Sequence, residues 1–178
     1  ATAIIILAGL INANKVIGKD ILKAKVVLAG AGPAGYATAK LLKDYGVSNV
    51  VVCDSKGVIT SNRGNLDPHK QEISTDLYSS ETSTLKACSE ADAIIGLSRA
   101  GAITEDMVKS ASNGVIIFAL ANPTAEIMPD IARNAGAKIV ATGRNDFPNQ
   151  LNNVLVFPGI FRGMIDSNIR SVTTEIKI

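Results

Sequence analysis

Residues 28–54 read LAGAGPAGYATAKLLKDYGVSNVVVCD: a β-type run enters Gly30, Gly32 and Gly35, an amphipathic helical stretch follows, and a second β-type run closes on Asp54. A glycine triplet alone is a weak signal. Set between a strand and a helix, with an acid about 20 residues further on, it has the context of a dinucleotide-binding turn. Each glycine meets a separate demand. Gly30 permits the tight turn off the strand, Gly32 lets the main chain approach a pyrophosphate, and Gly35 lets the helix pack closely on the sheet. The phosphates would then meet free N–H groups at the helix N-terminus. Pro33 suits the first helical turn but has no N–H to donate, so Ala34 and Gly35 must supply more of that role. The competing reading, a plain strand-to-helix turn that binds nothing, is weakened by the complete strand, helix, strand and acid unit.

Asp54 would accept hydrogen bonds from the adenosine ribose hydroxyls, and its charge would oppose a 2′-phosphate, which favours NAD. Ser55 and Lys56 follow it and are candidate cofactor contacts. Lys56 and Arg63 either neutralise Asp54 or pair with a phosphate, so NADP stays open.

The remaining pattern alternates between helix and strand. Thr2 to about Val16 reads as a helix stopped by Gly18, Lys23–Leu28 as the first strand, Pro33–Tyr45 as a helix closed by Gly46, and Asn49–Cys53 as the second strand. Asp67-Pro68 is a cap and first turn, and Glu81–Glu90 a further helical segment. Strands follow at Ala93–Leu97, Val115–Leu120, Lys138–Ala141 and Val154–Phe157, with helices from Thr104 to about Ser112 and from Pro129 to Gly136. Such alternation predicts an α/β fold of the Rossmann type: a doubly wound, mainly parallel sheet with helices on both faces.

A chain of 178 residues with 47% hydrophobic content can bury one substantial core. Its 18 basic and 16 acidic residues are dispersed and Trp is absent, which argues against a nucleic-acid surface. Cys53 and Cys88 lack zinc-site spacing and are expected to be buried thiols of a reducing, cytoplasmic compartment. The apolar opening ATAIIILAGLI is too short to span a membrane, which takes ~20 residues. The chain starts inside that helical pattern without Met and ends in SVTTEIKI, an uncapped helix start, so a piece of a longer protein is expected.

Ligands of open α/β sheets bind beyond the carboxyl ends of the strands. Ser98 and Arg99 follow the third strand there, Asn122 the fourth, Thr142–Asp146 the fifth, and Asn149–Asn153 precede the sixth. An Asn amide both donates and accepts, which suits a nicotinamide ring or a hydroxy acid; the plainer reading is that Asn122 and Asn152-Asn153 organise turns. His69 reads as a surface residue away from this mouth, and Lys56 and Lys138 as surface or cofactor residues rather than bases. Asp146 alone is a poor metal site. No catalytic or metal-ligating set is therefore assigned within the chain.

The segments TAIIILAGLINA, GAGPAG, VCDSKG, ITEDM, FALANPTAEIMP and ATGRNDFPNQLNNVLVFPGIFRG resemble the cofactor domain of the malic enzymes, particularly the short microbial form. LANPT and NNVLVFPG are more diagnostic than the glycines. The resemblance implies oxidation of malate with NAD(P) and decarboxylation to pyruvate, a divalent Mg or Mn ion, and an assembly of like chains. It places Gly30, Gly32, Gly35 and Asp54 on the cofactor motif, and Asn122 and Asn153 near nicotinamide and malate. The family more often has Ala at Pro33 and Ser-Ala-Pro-Gly at Ser98–Gly101. By the same resemblance the catalytic Tyr and Lys and the acidic metal ligands belong to segments preceding Ala1, so the chain by itself is expected to be inactive. Two other readings stand beside this one: the Rossmann domain of an amino-acid or shikimate-type dehydrogenase, and a non-catalytic NAD-binding or assembly module.

Overall fold

The computed structural model describes residues 1–178. Its elements run α1 (Thr2–Ile17), β1 (Lys25–Ala29), α2 (Pro33–Tyr45), β2 (Asn49–Asp54), β3 (Gly57–Val58), α3 (Pro68–Glu72), α4 (Thr84–Cys88), β4 (Ala93–Gly96), α5 (Glu105–Ser110), β5 (Ile116–Ala119), α6 (Pro129–Asn134), β6 (Ile139–Thr142), α7 (Phe157–Asp166) and α8 (Thr174–Lys177). The sheet order is β3-β2-β1-β4-β5-β6. Every pairing is parallel except the short β2–β3 hairpin, with Val27 opposite Val51 on one side and Ile94 on the other. The chain winds outward from β1 to β2, then crosses to β4 on the opposite flank. This reversal opens a crevice at the carboxyl ends of β1 and β4, as expected for a doubly wound α/β fold.

The strands are apolar along their whole length because both faces are covered. Val26, Leu28, Val50, Val52 and Ile95 pack with Ile6 and Leu10 of α1 and Leu42 of α2. Their neighbours Val27, Val51, Ile94 and Ile117 pack with Ala87, Val108 and Ala132 of α4, α5 and α6. The period-2 alternation of strand side chains thus feeds two cores of nearly equal size, 21 and 20 buried residues, which makes the sheet a central layer rather than a lid.

Helix ends follow local chemistry. Gly18 and Gly46 close α1 and α2 in left-handed conformation, and the side chains of Asp67, Ser83 and Thr104 accept from the backbone N–H of Lys70, Lys86 and Met107. The helical segment expected over Glu81–Glu90 runs only over Thr84–Cys88: the Ser83 cap sets its start, and Ser89 and Glu90, the latter at φ +58°, leave the helical conformation. Lys23 falls outside β1, in a 3₁₀ turn over Ile21–Lys23 that Asp20 caps.

The sixth expected strand does not form. Val154–Phe157 instead enters a 3₁₀ turn over Asn153–Val156 and then α7. The Asn152 side chain accepts from Val154 N–H at 3.0 Å and turns the chain. An apolar run this short carries no period that separates strand from helix. The sixth strand is β3, two residues folded back on β2 and too short to show in the sequence. No helix is long and apolar enough to cross a membrane.

Leu28→Ala, at the fully buried centre of β1, should cost about 2–5 kcal/mol. Val16→Ala, at a position 76% exposed on α1, should change stability by no more than about 0.5 kcal/mol. Urea unfolding of the two variants checks the contrast.

Candidate functional site

A cleft of about 720 Å³ lies at the reversal point, lined by Gly30, Gly32, Asp54, Ser55, Ser98 and Arg99 among others. Its floor is the turn from β1 into α2. Gly30 has φ +141°, and a Cβ there would stand 2.4 Å from the Leu97 carbonyl oxygen, so only glycine lets this turn lie against the end of β4. A Cβ on Gly35 would stand 2.0 Å from the Gly30 carbonyl oxygen, which explains how closely α2 approaches the strand. Gly32 differs: a Cβ there meets nothing within 4 Å. Its missing side chain leaves open cleft rather than relieving a clash.

The N–H groups of Ala31, Gly32, Ala34 and Gly35 donate to no backbone acceptor, whereas Tyr36 N–H already serves Gly32. Pro33, at the first position of α2, leaves this set one donor short. Four unpaired N–H groups beside the open space at Gly32 fit a pyrophosphate, with the helix dipole adding to the attraction. Pro33 and Ala34 line the flanks of this turn rather than the cleft, and Gly35 is buried beneath it.

Asp54 ends β2 at the far side of the cleft. Its Oδ2 takes Arg63 Nη2 at 2.5 Å and Lys70 Nζ at 3.0 Å, and its Oδ1 accepts from Lys56 N–H at 2.9 Å. Burial raises the carboxyl's pKa, but the Arg63, Lys56 and Lys70 hydrogen bonds outweigh burial and hold it at about 2. Lys56 thus acts through its backbone, with its side chain exposed, and Arg63 pairs with Asp54 as one of the two sequence readings expected. Lys70 was not foreseen. It reaches Asp54 because α3 is docked on α2: Glu72 holds Tyr36 Oη and, at 2.7 Å, Lys40 Nζ.

His69 rides on the same helix and is not remote from the mouth. Its ring packs edge-on at 4.9 Å from Tyr36, beside Gly32 and Pro33. His69 is exposed, as expected, and does not line the cleft, but the docking of α3 brings it closer to the mouth than the polar loop before it suggested.

Cys53 and Cys88 are buried free thiols. Burial pushes Cys53 up to about 11 and Cys88 up to about 12, so neither is a thiolate at neutral pH.

Ser98 lies in the cleft, but Asn122 and Asn153 do not line it. Asn122 is exposed on the loop after β5, its amide against Gly143, where a Cβ would stand 3.2 Å from Nδ2. Asn152 and Asn153 separate clearly. Asn152 is engaged in the fold, donating to the Gly143 carbonyl at 3.3 Å and capping the following turn, while the exposed Asn153 side chain makes no hydrogen bond within the chain. Asp146 is held by Arg144 at 2.5 and 2.8 Å. No three His, Cys, Asp or Glu side chains gather where they could hold a metal ion.

Since the Asp54 carboxyl sits at about 2 in the fold against an ordinary 3.8, its pairing contributes stability that is present above pH 3.8 and is lost as pH falls toward 2. A carbon-detected NMR titration should find Asp54 still ionised at pH 3.8, and Arg63→Gln should move its midpoint upward.

The description "Malic enzyme, NAD binding domain" belongs to the family model that matches residues 1–177. The bifunctional malic/malolactic enzyme of Bacillus subtilis is 51% identical over 180 residues, covering 99% of this chain and 44% of that protein. An NADP-dependent malic enzyme of Rhizobium meliloti is 45% identical, covering 99% of this chain and 24% of that protein. The crystal structure of the Entamoeba histolytica malic enzyme superposes with a TM-score of 0.91 at 38% identity, over 99% of this chain and 38% of that one. The chain thus spans less than half the length of these relatives, as it does of the NAD-dependent malic enzyme of Geobacillus stearothermophilus, 41% identical over 99% of this chain and 37% of that protein. With the family model covering all but its last residue, the chain belongs to the NAD-binding domain family of the malic enzymes.

Proposed function

We propose that the chain is the cofactor-binding portion of a malic enzyme, the oxidoreductase that converts malate to pyruvate with reduction of NAD(P). The observation that carries this reading is the open space at Gly32 beside four unpaired N–H groups, with Asp54 across the cleft. When bound, the cofactor supplies a hydride acceptor. The residues of this chain hold it: Ala34 and Gly35 N–H at the pyrophosphate, Asp54 and Ser55 at the adenosine ribose, and Ser98 toward the nicotinamide. Asn122, exposed in the loop after β5, and Asn153, exposed at the start of the 3₁₀ turn before α7, have amides that both donate and accept and would orient malate and the nicotinamide carboxamide.

Hydroxyl oxidation needs a base, and decarboxylation needs an electrophile for the developing enolate charge. Neither buried thiol is free for such a role, and Asp54 is engaged by two cations. The divalent Mg or Mn ion that the family resemblance implies has no donor set of three His, Cys, Asp or Glu side chains among these residues. The family resemblance supports a division of labour in which this domain holds the cofactor and other residues of a malic enzyme carry the acid–base and metal chemistry. A homo-oligomer fits the apolar side chains that α7 leaves exposed, Phe157, Phe161 and Ile165.

The charge on Asp54 supports NAD, but Arg63 and Lys70 offset it, so a 2′-phosphate meets little net repulsion. NADH and NADPH should accordingly bind with dissociation constants within about tenfold of each other, or about 1.4 kcal/mol, as isothermal titration would show.

The chain should bind NADH saturably and, without further protein, should not oxidise malate in the presence of Mn. Gly32→Ala should weaken NADH by about tenfold or more, while its unfolding free energy stays within about 0.5 kcal/mol of the parent. Absence of saturable NADH and NADPH binding by the folded chain would overturn the cofactor role. Metal-dependent malate turnover by these residues alone would overturn the division of labour.

A further inference from the structure

Glu126 is a fully buried acid in the loop between β5 and α6. Its Oε1 accepts from Ser98 N–H at 3.0 Å and its Oε2 from Ala121 N–H at 2.9 Å. Ser98 stands in the loop after β4, and Ala121 in the loop after β5, directly before Asn122. One carboxyl therefore ties together the main chains of two neighbouring ligand-facing loops. The space for it comes from β4: a Cβ on Gly96 would stand 2.4 Å from Glu126 Cδ and 2.6 Å from Cγ. The loop after β4 also bears on the glycine turn, since a Cβ on Gly30 would stand 3.2 Å from Ser98 Cβ.

Asp54 marks the adenosine end of the cleft on β2. The order β2-β1-β4-β5 places the Ser98 and Asn122 loops across β1 from it, where the other half of a dinucleotide lies in a doubly wound fold. Resting on the cofactor reading above, we infer that Glu126 is a positioning residue for the nicotinamide half: it sets the spacing of the Ser98 and Asn122 loops that this half contacts. The arrangement requires two acceptors. Glutamine at this position preserves shape but has one acceptor and one donor group, so one of the two N–H groups would face an NH₂.

The test compares the parent chain with Glu126→Gln in titrations with AMP, reduced nicotinamide mononucleotide and NADH. Glu126→Gln should bind AMP within about twofold of the parent and NADH about tenfold or more weakly. Amide NMR of the parent supplies a readout that does not depend on the variant folding: NADH and the nicotinamide mononucleotide should shift the Ser98 and Ala121 N–H signals, and AMP should leave them in place. Equal losses of AMP and NADH binding would overturn the inference, as would undiminished NADH affinity in the folded variant or unmoved Ser98 and Ala121 signals on NADH binding. Failure of the parent chain to bind NADH is a different result, which strikes the cofactor reading itself.

Discussion

The approach of α2 to the end of β1 is the contact from which the rest of the structure is built. Gly35 stands so near the Gly30 carbonyl that any side chain would collide with it, and this proximity brings the helix N-terminus directly over the sheet edge. Unpaired N–H groups can face a common ligand only because of that geometry. The same approach forces Gly30 against the end of β4, so the two halves of the sheet meet at the point where the winding reverses. The cleft is a consequence of strand order combined with two places where no Cβ fits.

The two ends of the cleft are organised by opposite electrostatic means. At β2, Asp54 is surrounded by donors of full or partial positive charge, and these hold its carboxyl ionised far below neutral pH. Across β1, Glu126 is buried and receives backbone N–H groups from two loops, so its oxygens serve main-chain spacing rather than the surface of the cleft. An acid paired with side-chain cations and an acid paired with backbone N–H groups thus do different work, although both stand at the carboxyl edge of the sheet. Arg144 extends the second pattern, clamping Asp146 while donating to the Pro123 carbonyl at 2.5 Å, which links the loops after β5 and β6.

Much of this was legible beforehand. The glycine turn, α2 and its Gly46 stop, the acid at the end of β2 and the buried strands all appear where local pattern places them, because turn chemistry, helix caps and apolar runs act over a few residues. The family motifs likewise pointed to the domain that the comparisons establish. Harder to read were features whose partners lie far along the chain. Lys70 reaches Asp54 only after Glu72 has joined Tyr36 and Lys40, and His69 is carried to the glycine turn by the same docking. Val154–Phe157 misled because a short apolar run suits a strand or a helix equally, and the Asn152 cap decided between them.

By itself the sequence determined the α/β architecture, the glycine turn from β1 into α2, and the placing of Asp54 at the end of β2, since turn chemistry and the period of apolar side chains act over a few residues. Only the tertiary structure decided that Asp54 carries two cations, that Asn152 is engaged in the fold while Asn153 is not, and that Glu126 lies beneath the cleft rather than on the surface. Those outcomes depend on which groups are brought within hydrogen-bond distance when loops and helices dock, at sequence separations of 5 to 28 residues. Distance of that kind is set by packing, to which local pattern is blind.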